Sequence, residues 1–393
     1  MILTARQEEG LKIAVSRYNQ GQKYTIISGY AGSGKSTLVR FIIDALGVDE
    51  ELVCYCAFTG KATEVLRQKG NRNVSTLHKL LYQHIPKPNG GFIRKKKTEL
   101  GYDIIVVDEI SMVPASMMQL LLAHDVYVIG LGDPEQLPPI NKDEDNHLLD
   151  SPHVFLDEIM RQAQESEIIR LTMKIRNGEP IDYYEGEDIK ILPYKELNTG
   201  ILEWGDQILT ATNAKREAIN FQMRELAGRQ GDPMDGDKLI CCRNYWDQLS
   251  VDENALVNGT IGILNNSFKT WREIPKQVRT PIRKFDVLIG DLLIPEMNDI
   301  YRNVDMDYKM ITTGKKCCDW KLSYQLGRLK KKYGDIVPLE FAFAYAITGH
   351  RAQGSEWNNV VVLEERFPFD AVEHRKWLYT CCTRSKSRLV LIR

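Results

Sequence analysis

The stretch YTIISGYAGSGKST, Tyr24–Thr37, constrains the fold more than any other part of the chain. A β-branched, apolar run, Tyr24–Ser28, enters a glycine-rich loop, and helix-forming sequence follows. The loop GYAGSGKS fits G-x-x-x-x-G-K-[ST], with Gly29, Gly34, Lys35 and Ser36 at the required positions. Glycines let the backbone turn tightly, so that successive N–H groups point at one phosphate. A helix starting near Lys35 adds its positive N-terminal end. Lys35 can reach β- and γ-phosphates, and the Ser36 hydroxyl can ligate Mg²⁺. Ala31, Gly32, Ser33 and Thr37 complete the lining of the loop. A strand before, a helix after and every motif position filled imply a nucleoside triphosphate site, with ATP and Mg²⁺ as its occupants.

At 393 residues the chain has room for two or three domains. Its 52 lysines and arginines balance 53 acids, so any polyanion site must be a local stripe on a balanced surface. The eight cysteines form no C-x-x-C pair, which argues against zinc. Their adjacent pairs, such as Cys241-Cys242 and Cys381-Cys382, suit reduced, buried, small apolar residues. MILTARQEEG lacks the apolar core of a signal peptide, and no run approaches about 20 apolar residues. The expectation is a soluble cytoplasmic protein of a bacterial or phage-infected cell, with no membrane partner.

Along the chain, helical spacing marks an N-terminal helix with Thr4 as its cap. Leu52–Phe58, Asp103–Glu109 and Val126–Asp133 read as strands, the last two ending in acids. VSTLHKLL, Val74–Leu81, reads as a short helix capped by Ser75. Continuous apolar strands alternating with helices predict a parallel, doubly wound α/β sheet. Ligands in such sheets sit at the carboxyl ends of the strands, where Gly29, Asp108 and Asp133 all fall. Between them, Gln83–Leu100 breaks the pattern with Pro86, Pro88, Asn89-Gly90-Gly91 and basic Arg94–Lys97, which predicts an inserted hairpin. A second α/β unit is expected from Ser151. Residues 236–338 carry short β-like runs, YKMIT among them, and predict a β-rich insertion. The domains expected are 1–150 (with 83–100 inserted), 151–235 together with 339–393, and 236–338.

Asp108 at the end of IIVVD can hold Mg²⁺ through water, and Glu109 can orient and deprotonate an attacking water. The pair favours hydrolysis over transfer to a substrate hydroxyl. Gln136 in GDPEQLPP can sense the γ-phosphate. Arg161 and Arg384 lie in the second unit and are candidates to neutralise charge developing on the γ-phosphoryl group.

The set and order of these motifs resemble a superfamily 1 helicase of the 5′→3′ RecD-like group, and the small Dda-type phage helicases within it. LTARQ resembles the adenine-reading Q motif, with Gln7 the reader. CAFTGKAT, VSTLHKL, VVDEISM, GLGDPEQLPPI, LDEIMRQ, AYAITGHRAQGSEWNNVVV and LYTCCTRSKSRLVLI resemble motifs Ia to VI in order. Arg351-Ala352 stand where the family usually has Lys-Ser, and Cys381 and Cys382 where it has small residues. The resemblance implies two RecA-like domains in tandem, a pin in the first and an SH3-like insertion in the second.

It also implies DNA contacts. These come from Phe58, Thr59, Lys61 and His78 in the first domain, and from Thr348, His350, Arg351 and Trp357 in the second. Phe92 would stack on the first base pair of a duplex. Read from the residues alone, Phe58 can also be core, His78 and His350 read as structural histidines, the pin can equally be a solvated basic loop, and RLKKK (Arg328–Lys332) reads as a solvated helix face. The implied activity is ATP-driven translocation and unwinding on single strands and fork junctions, in replication or repair. The implied state is a monomer, with a single-strand binding protein or replisome component as a partner. A translocase with little unwinding, and a phosphate-loop kinase of a small metabolite, are the alternatives.

Overall fold

Apolar runs with no polar alternation must be covered on both faces, and those of the first 160 residues are. The computed structural model describes residues 3–86, 92–138, 145–159, 166–252, 254–295, 297–365 and 370–393. Its first strands are β1 (Tyr24–Gly29), β2 (Val53–Ala57), β3 (Val74–Thr76), β4 (Tyr82–Pro86), β5 (Phe92–Lys96), β6 (Ile104–Val107), β7 (Tyr127–Gly132) and β8 (Val154–Leu156). Six of them form one sheet in the order β3-β2-β6-β7-β1-β8, parallel throughout. Alternate residues of each strand go to opposite faces. Ile27, Tyr55, Ile104, Val106 and Ile129 pack with Leu38 and Ile42 of helix Lys35–Leu46. Ile26, Cys54, Cys56, Ile105, Val107 and Val128 pack with Leu77, Met117 and Leu121 on the other side. Strand β8, beyond Ser151, closes this sheet beside β1.

The stretch Val74–Leu81 departs from its sequence reading. Val74–Thr76 adds to the sheet edge along β2, and the helix is confined to Leu77–Leu81. Thr76, not Ser75, caps it by accepting from Lys79 N–H at 3.2 Å. The β-branched pair Val74 and Thr76 suits an edge strand better than a first helical turn. At the N-terminus Thr4 does cap helix Ala5–Asn19, in a reciprocal box with Gln7.

A second six-stranded sheet is built from β9 (Tyr184–Glu185), β10 (Ile189–Leu192), β11 (Gln207–Thr210), β19 (Ala346–Thr348), β20 (Trp357–Leu363) and β21 (Ser385–Ile392), in the order β19-β11-β20-β21-β10-β9. The β11-β20-β21-β10 core is parallel, and β9 pairs antiparallel with β10. Helices Glu167–Asn177 and Ala371–Cys382 flank it. Both sheets belong to one compact unit, Met1–Tyr82, Lys96–Asn213 and Ile347–Arg393.

The other compact unit comprises Gln83–Lys95, with the β4–β5 hairpin, and Ala214–Ala346. Its sheet runs β17 (Asp299–Asp307), β16 (Lys284–Ile294), β15 (Ile261–Glu273), β12 (Lys238–Cys241), β18 (Phe341–Phe343), with antiparallel pairings. A short pair, β13 (Tyr245–Leu249) with β14 (Ala255–Leu256), sits beside it. The run YKMIT is helix, Tyr308–Thr313, because Asp307 caps it through Met310 N–H at 3.0 Å and Gly314 ends it in a left-handed conformation. Among the described residues, two cores fill this unit. One surrounds Leu264, Leu292, Tyr301 and Phe341. The other joins Ile274, Val278 and Phe285 to Cys317, Cys318, Leu322 and Leu326. All eight cysteines are free; the Cys54–Cys56 and Cys317–Cys318 sulfurs stand 3.5 and 3.6 Å apart, far beyond the disulfide length of about 2.05 Å.

A buried ion pair anchors the β-rich sheet to helix Asn213–Leu226. Arg224 Nε donates to Asp237 at 3.0 and 3.2 Å, and its other nitrogens donate to the Gly231 and Asp232 carbonyls. Asp237 also accepts from Met234 N–H and the Tyr345 hydroxyl. Removing one partner would strand a buried charge. Asp237→Ala should therefore cost about 3–5 kcal/mol, read as a lower denaturant midpoint in chemical unfolding. Asp237→Glu should lose much less.

Candidate nucleotide and nucleic-acid site

Strand β1 delivers the loop and helix Lys35–Leu46 receives it. Gly32 and Gly34 have φ of +78° and +79°, backbone that residues with a Cβ enter at a cost. Gly34 opens the helix without a side-chain cap, so the first-turn N–H groups depend on something other than protein side chains. Lys35 Nζ donates to the Gly29 and Tyr30 carbonyls at 2.6 and 3.0 Å. Ser33 Oγ is buried with no partner. An uncapped helix start, a lysine turned onto the loop and an orphan hydroxyl suit a chain of phosphates. Ser36 and Asp108, hard oxygen donors of the kind Mg²⁺ takes, line one cavity with Thr37.

Gln7 is 1% exposed. Its Nε2 donates to the Ser33 carbonyl at 3.2 Å and its Oε1 accepts from Thr4 N–H. It braces the loop against the first helix. Asp108 follows β6 and accepts from Glu109 N–H at 2.9 Å. Glu109 has φ of +50°, a conformation costly for a non-glycine residue that turns its side chain off the strand line. Arg384, 4% exposed, reaches Glu109 at 3.6 Å from the second sheet. In the orientation that satisfies both neighbours, Gln136 donates to Glu109 Oε2 at 2.9 Å and accepts from Arg384 Nη2 at 3.3 Å. Burial pushes the Glu109 carboxyl above its ordinary range, Arg384 and Lys35 pull it down, and Asp108 and Asp133 push it up. A carboxylate so placed is a better proton acceptor than a solvated one.

A second set of bonds ties the sheets together. The Tyr379 hydroxyl accepts from Ala31 N–H at 3.2 Å and donates to Asp133 at 2.5 Å. Thr380 Oγ1 accepts from Leu137 N–H, and Gln353 donates to the Leu137 carbonyl at 2.7 Å. Lys376 donates to the Pro134 carbonyl, and the Arg176 guanidinium lies 3.4 Å over the Tyr30 ring. None of these five side chains stood out as a site residue in the sequence. Tyr379 and Thr380 lie inside LYTCCTRSKS, but no local pattern distinguishes a helix residue that reaches across to another sheet.

The residues expected to hold DNA fall partly together. Thr59 caps helix Gly60–Gln68 through Ala62 N–H at 3.2 Å, with Lys61 in its first turn. Burial lowers the Lys61 ammonium to about 8. The Phe58 and His78 rings are 5.5 Å apart, and Tyr82 stacks 6.5 Å beyond His78. On the second sheet Thr348 is buried, and half-buried His350 and Arg351 lie on the turn of helix Gly349–Ala352; burial lowers the His350 imidazole. Gly354, φ +72°, brings this segment against the first: a Cβ there would meet Ala62 Cβ at 2.7 Å. Trp357 departs from its expected role. It is 6% exposed at the head of β20 and offers no free face to a base. Phe92 opens β5 in the other compact unit. Arg161 and the turn Asn89-Gly90-Gly91 lie outside the described residues.

Residues 3–191 match the AAA domain family, and residues 343–392 the UvrD-like helicase C-terminal domain. The chain is 28% identical to the ATP-dependent RecD2 DNA helicase of Deinococcus radiodurans, an alignment covering 94% of this chain and 46% of the relative. It is 27% identical to the ATP-dependent DNA helicase dda of Enterobacteria phage T4 across 45% of this chain and 43% of that one. The chain thus spans less than half the length of these curated relatives. Its fold resembles that of the Pif1 helicase from Bacteroides solved with ADP-AlF3 and ssDNA, with a TM-score of 0.54, 17% identity, and 100% and 92% of the two chains covered.

The Tyr379 hydroxyl makes two buried bonds at the meeting of the sheets. Tyr379→Phe keeps the ring and removes both. It should lower stability by about 1–3 kcal/mol, measured by urea unfolding.

Proposed function

We propose that this chain, a superfamily 1 helicase of the RecD and Dda type by its motifs and relatives, is an ATP-driven motor that moves 5′→3′ along single-stranded DNA and opens duplex ahead of it. One observation carries the reading. Glu109 and Gln136 of the first sheet and Arg384 of the second meet within the electrostatic reach of Lys35 in the phosphate loop, so one group of side chains spans both sheets. In this reading the two sheets are RecA-like domains in tandem, the β-rich sheet is the SH3-like insertion, and the β4–β5 hairpin with Phe92 is the strand-separating pin.

Lys35 and the first-turn N–H groups of its helix hold the phosphates, with Gln7 toward the base. Ser36 and Asp108 would hold Mg²⁺, which neutralises phosphate charge and orients the triphosphate when bound. Glu109 accepts a proton from the attacking water. Arg384 leaves Glu109 for the γ-phosphoryl oxygens as charge develops there, joined by Arg161. Gln136 touches both Glu109 and Arg384, so it reports whether that exchange has occurred. Tyr379 and Gln353 carry the change into the segments bearing Thr59, Lys61, His350 and Arg351, whose grips on the strand alternate. Single strands and fork junctions are the substrates, and the chain works as a monomer.

Single-stranded DNA should stimulate ATP hydrolysis strongly, and Glu109→Gln should lower the stimulated rate about a hundredfold or more, in line with the usual worth of a positioned base. An ATPase indifferent to DNA would favour the small-molecule kinase reading. Unwinding from a 3′ tail but not a 5′ tail would reject the polarity. Because Lys61 loses its proton near pH 8, affinity for oligo-dT should fall between pH 7 and 9. In Lys61→Arg, whose charge persists, the same titration should be flatter.

A further inference from the structure

The stretch 315–333 stands apart from every motif above. It carries seven lysines and arginines against the single acid Asp319, in a chain whose net charge is −1. Its first helix, Trp320–Gly327, is capped by Asp319, which accepts from Leu322 N–H at 2.7 Å. Leu322 and Leu326 point into the smaller core of the β-rich unit. The opposite face carries Trp320 and Tyr324, 75% and 66% exposed. Two large aromatic rings left in water cost free energy that burying them would recover. Lys321 lies 5.7 Å over the Trp320 ring, and exposed Arg328 and Lys332 continue the basic surface. Lys330 is engaged by Asp247 and Asp335, and Lys316 by Glu340. Among the described side chains, the charge left for a partner is therefore that of Lys315, Lys321, Arg328 and Lys332.

We propose that this helix face is a second binding site for single-stranded nucleic acid, separate from the motor segments. Residues four apart on a helix rise about 6 Å. That is close to the spacing of bases in an extended strand, so Trp320 and Tyr324 can each take one unpaired base. Lys321, Arg328 and Lys332 meet the flanking phosphates. Duplex DNA would satisfy the lysines but leave both rings unstacked; an acidic protein segment would do the same. Unpaired bases on a phosphate backbone complement rings and cations together. The site does not rest on the motor reading. It requires only a strand long enough to reach it.

The test uses the full chain and a series of oligo-dT lengths, with matched oligo-rU to distinguish DNA from RNA. Trp320→Ala/Tyr324→Ala should keep wild-type thermal stability, since both rings are exposed. Its affinity for long oligonucleotides should fall at least tenfold, as expected for two lost stacking contacts. Its affinity for the shortest oligonucleotides that stimulate ATPase should not change. Trp320→Phe should recover most of the loss. Lys321→Ala/Lys332→Ala should flatten the salt dependence of long-strand binding. Wild-type affinity of the aromatic double variant at every length, on both DNA and RNA, would overturn the site. So would equal weakening at all lengths, which would place these rings in the motor's own contact. DNA-independent ATPase with length-dependent loss in the double variant would sink the motor reading and leave this site standing.

Discussion

A carboxylate buried beside two others needs cations to remain charged. Asp108, Glu109 and Asp133 all arrive at the carboxyl ends of parallel strands, because that is where the fold presents its ligand groups. Lys35 from the loop and Arg384 from the second sheet offset them, and the Tyr379 hydroxyl donates to Asp133. The acidic cluster is thus a feature of the first sheet that only the second sheet completes. Burying one unpaired carboxylate costs several kcal/mol, so withdrawal of Arg384 cannot leave Glu109 as it was. Either a proton, a solvent path or another cation must take its place. This is the physical reason for expecting the two sheets to respond to the chemistry at the loop.

Much of this was legible in the chain. Strand, glycines, lysine and helix at Tyr24–Thr37 specify the cradle by local geometry, and four apolar residues before Asp108 specify a strand buried on both faces. Arg384 was legible only through the motif around it, since a lone arginine is usually solvated. The inter-sheet bonds of Tyr379, Thr380, Gln353, Lys376 and Arg176 were not legible at all. They join residues such as Leu137 and Thr380, far apart in sequence, and no periodicity encodes a partner at that distance. Val74–Thr76 and Tyr308–Thr313 depart from their sequence patterns for the opposite reason. Their local patterns are short and ambiguous, and an edge position along β2 in one case and the Asp307 cap in the other decide the outcome. Trp357 lies near His350 and Arg351 in sequence but not on their surface, because the start of β20 turns it into the core.

Gly354 shows how closely the expected grip segments approach. Its left-handed backbone and the 2.7 Å that a Cβ would leave to Ala62 are independent demands, and glycine meets both. Helix Gly60–Gln68 and the segment after Gln353 therefore approach through the Gly354 backbone and the small side chains of Ala62 and Thr59. Contacts of that kind transmit small displacements directly, because close-packed interiors have little compliance. Gln353, one residue before, bonds the Leu137 carbonyl next to Gln136. The loop carrying Gln136 and helix Gly60–Gln68 are thus linked through two consecutive residues.

The β-rich unit obeys a different economy. Helix Trp320–Gly327 has eight residues, fewer than an isolated helix needs to persist in water. It is held by the Asp319 cap and by two leucines in a core distinct from that of the main sheet. A small core that served only to close the hairpin β15–β16 could have ended in polar residues. Instead it supports a rigid turn of helix whose outer face spends two of its few positions on aromatic rings exposed to water. Such a face is unfavourable to solubility in the free protein. It becomes favourable when something flat and anionic covers it, and the lysines and arginine beside the rings select for that charge.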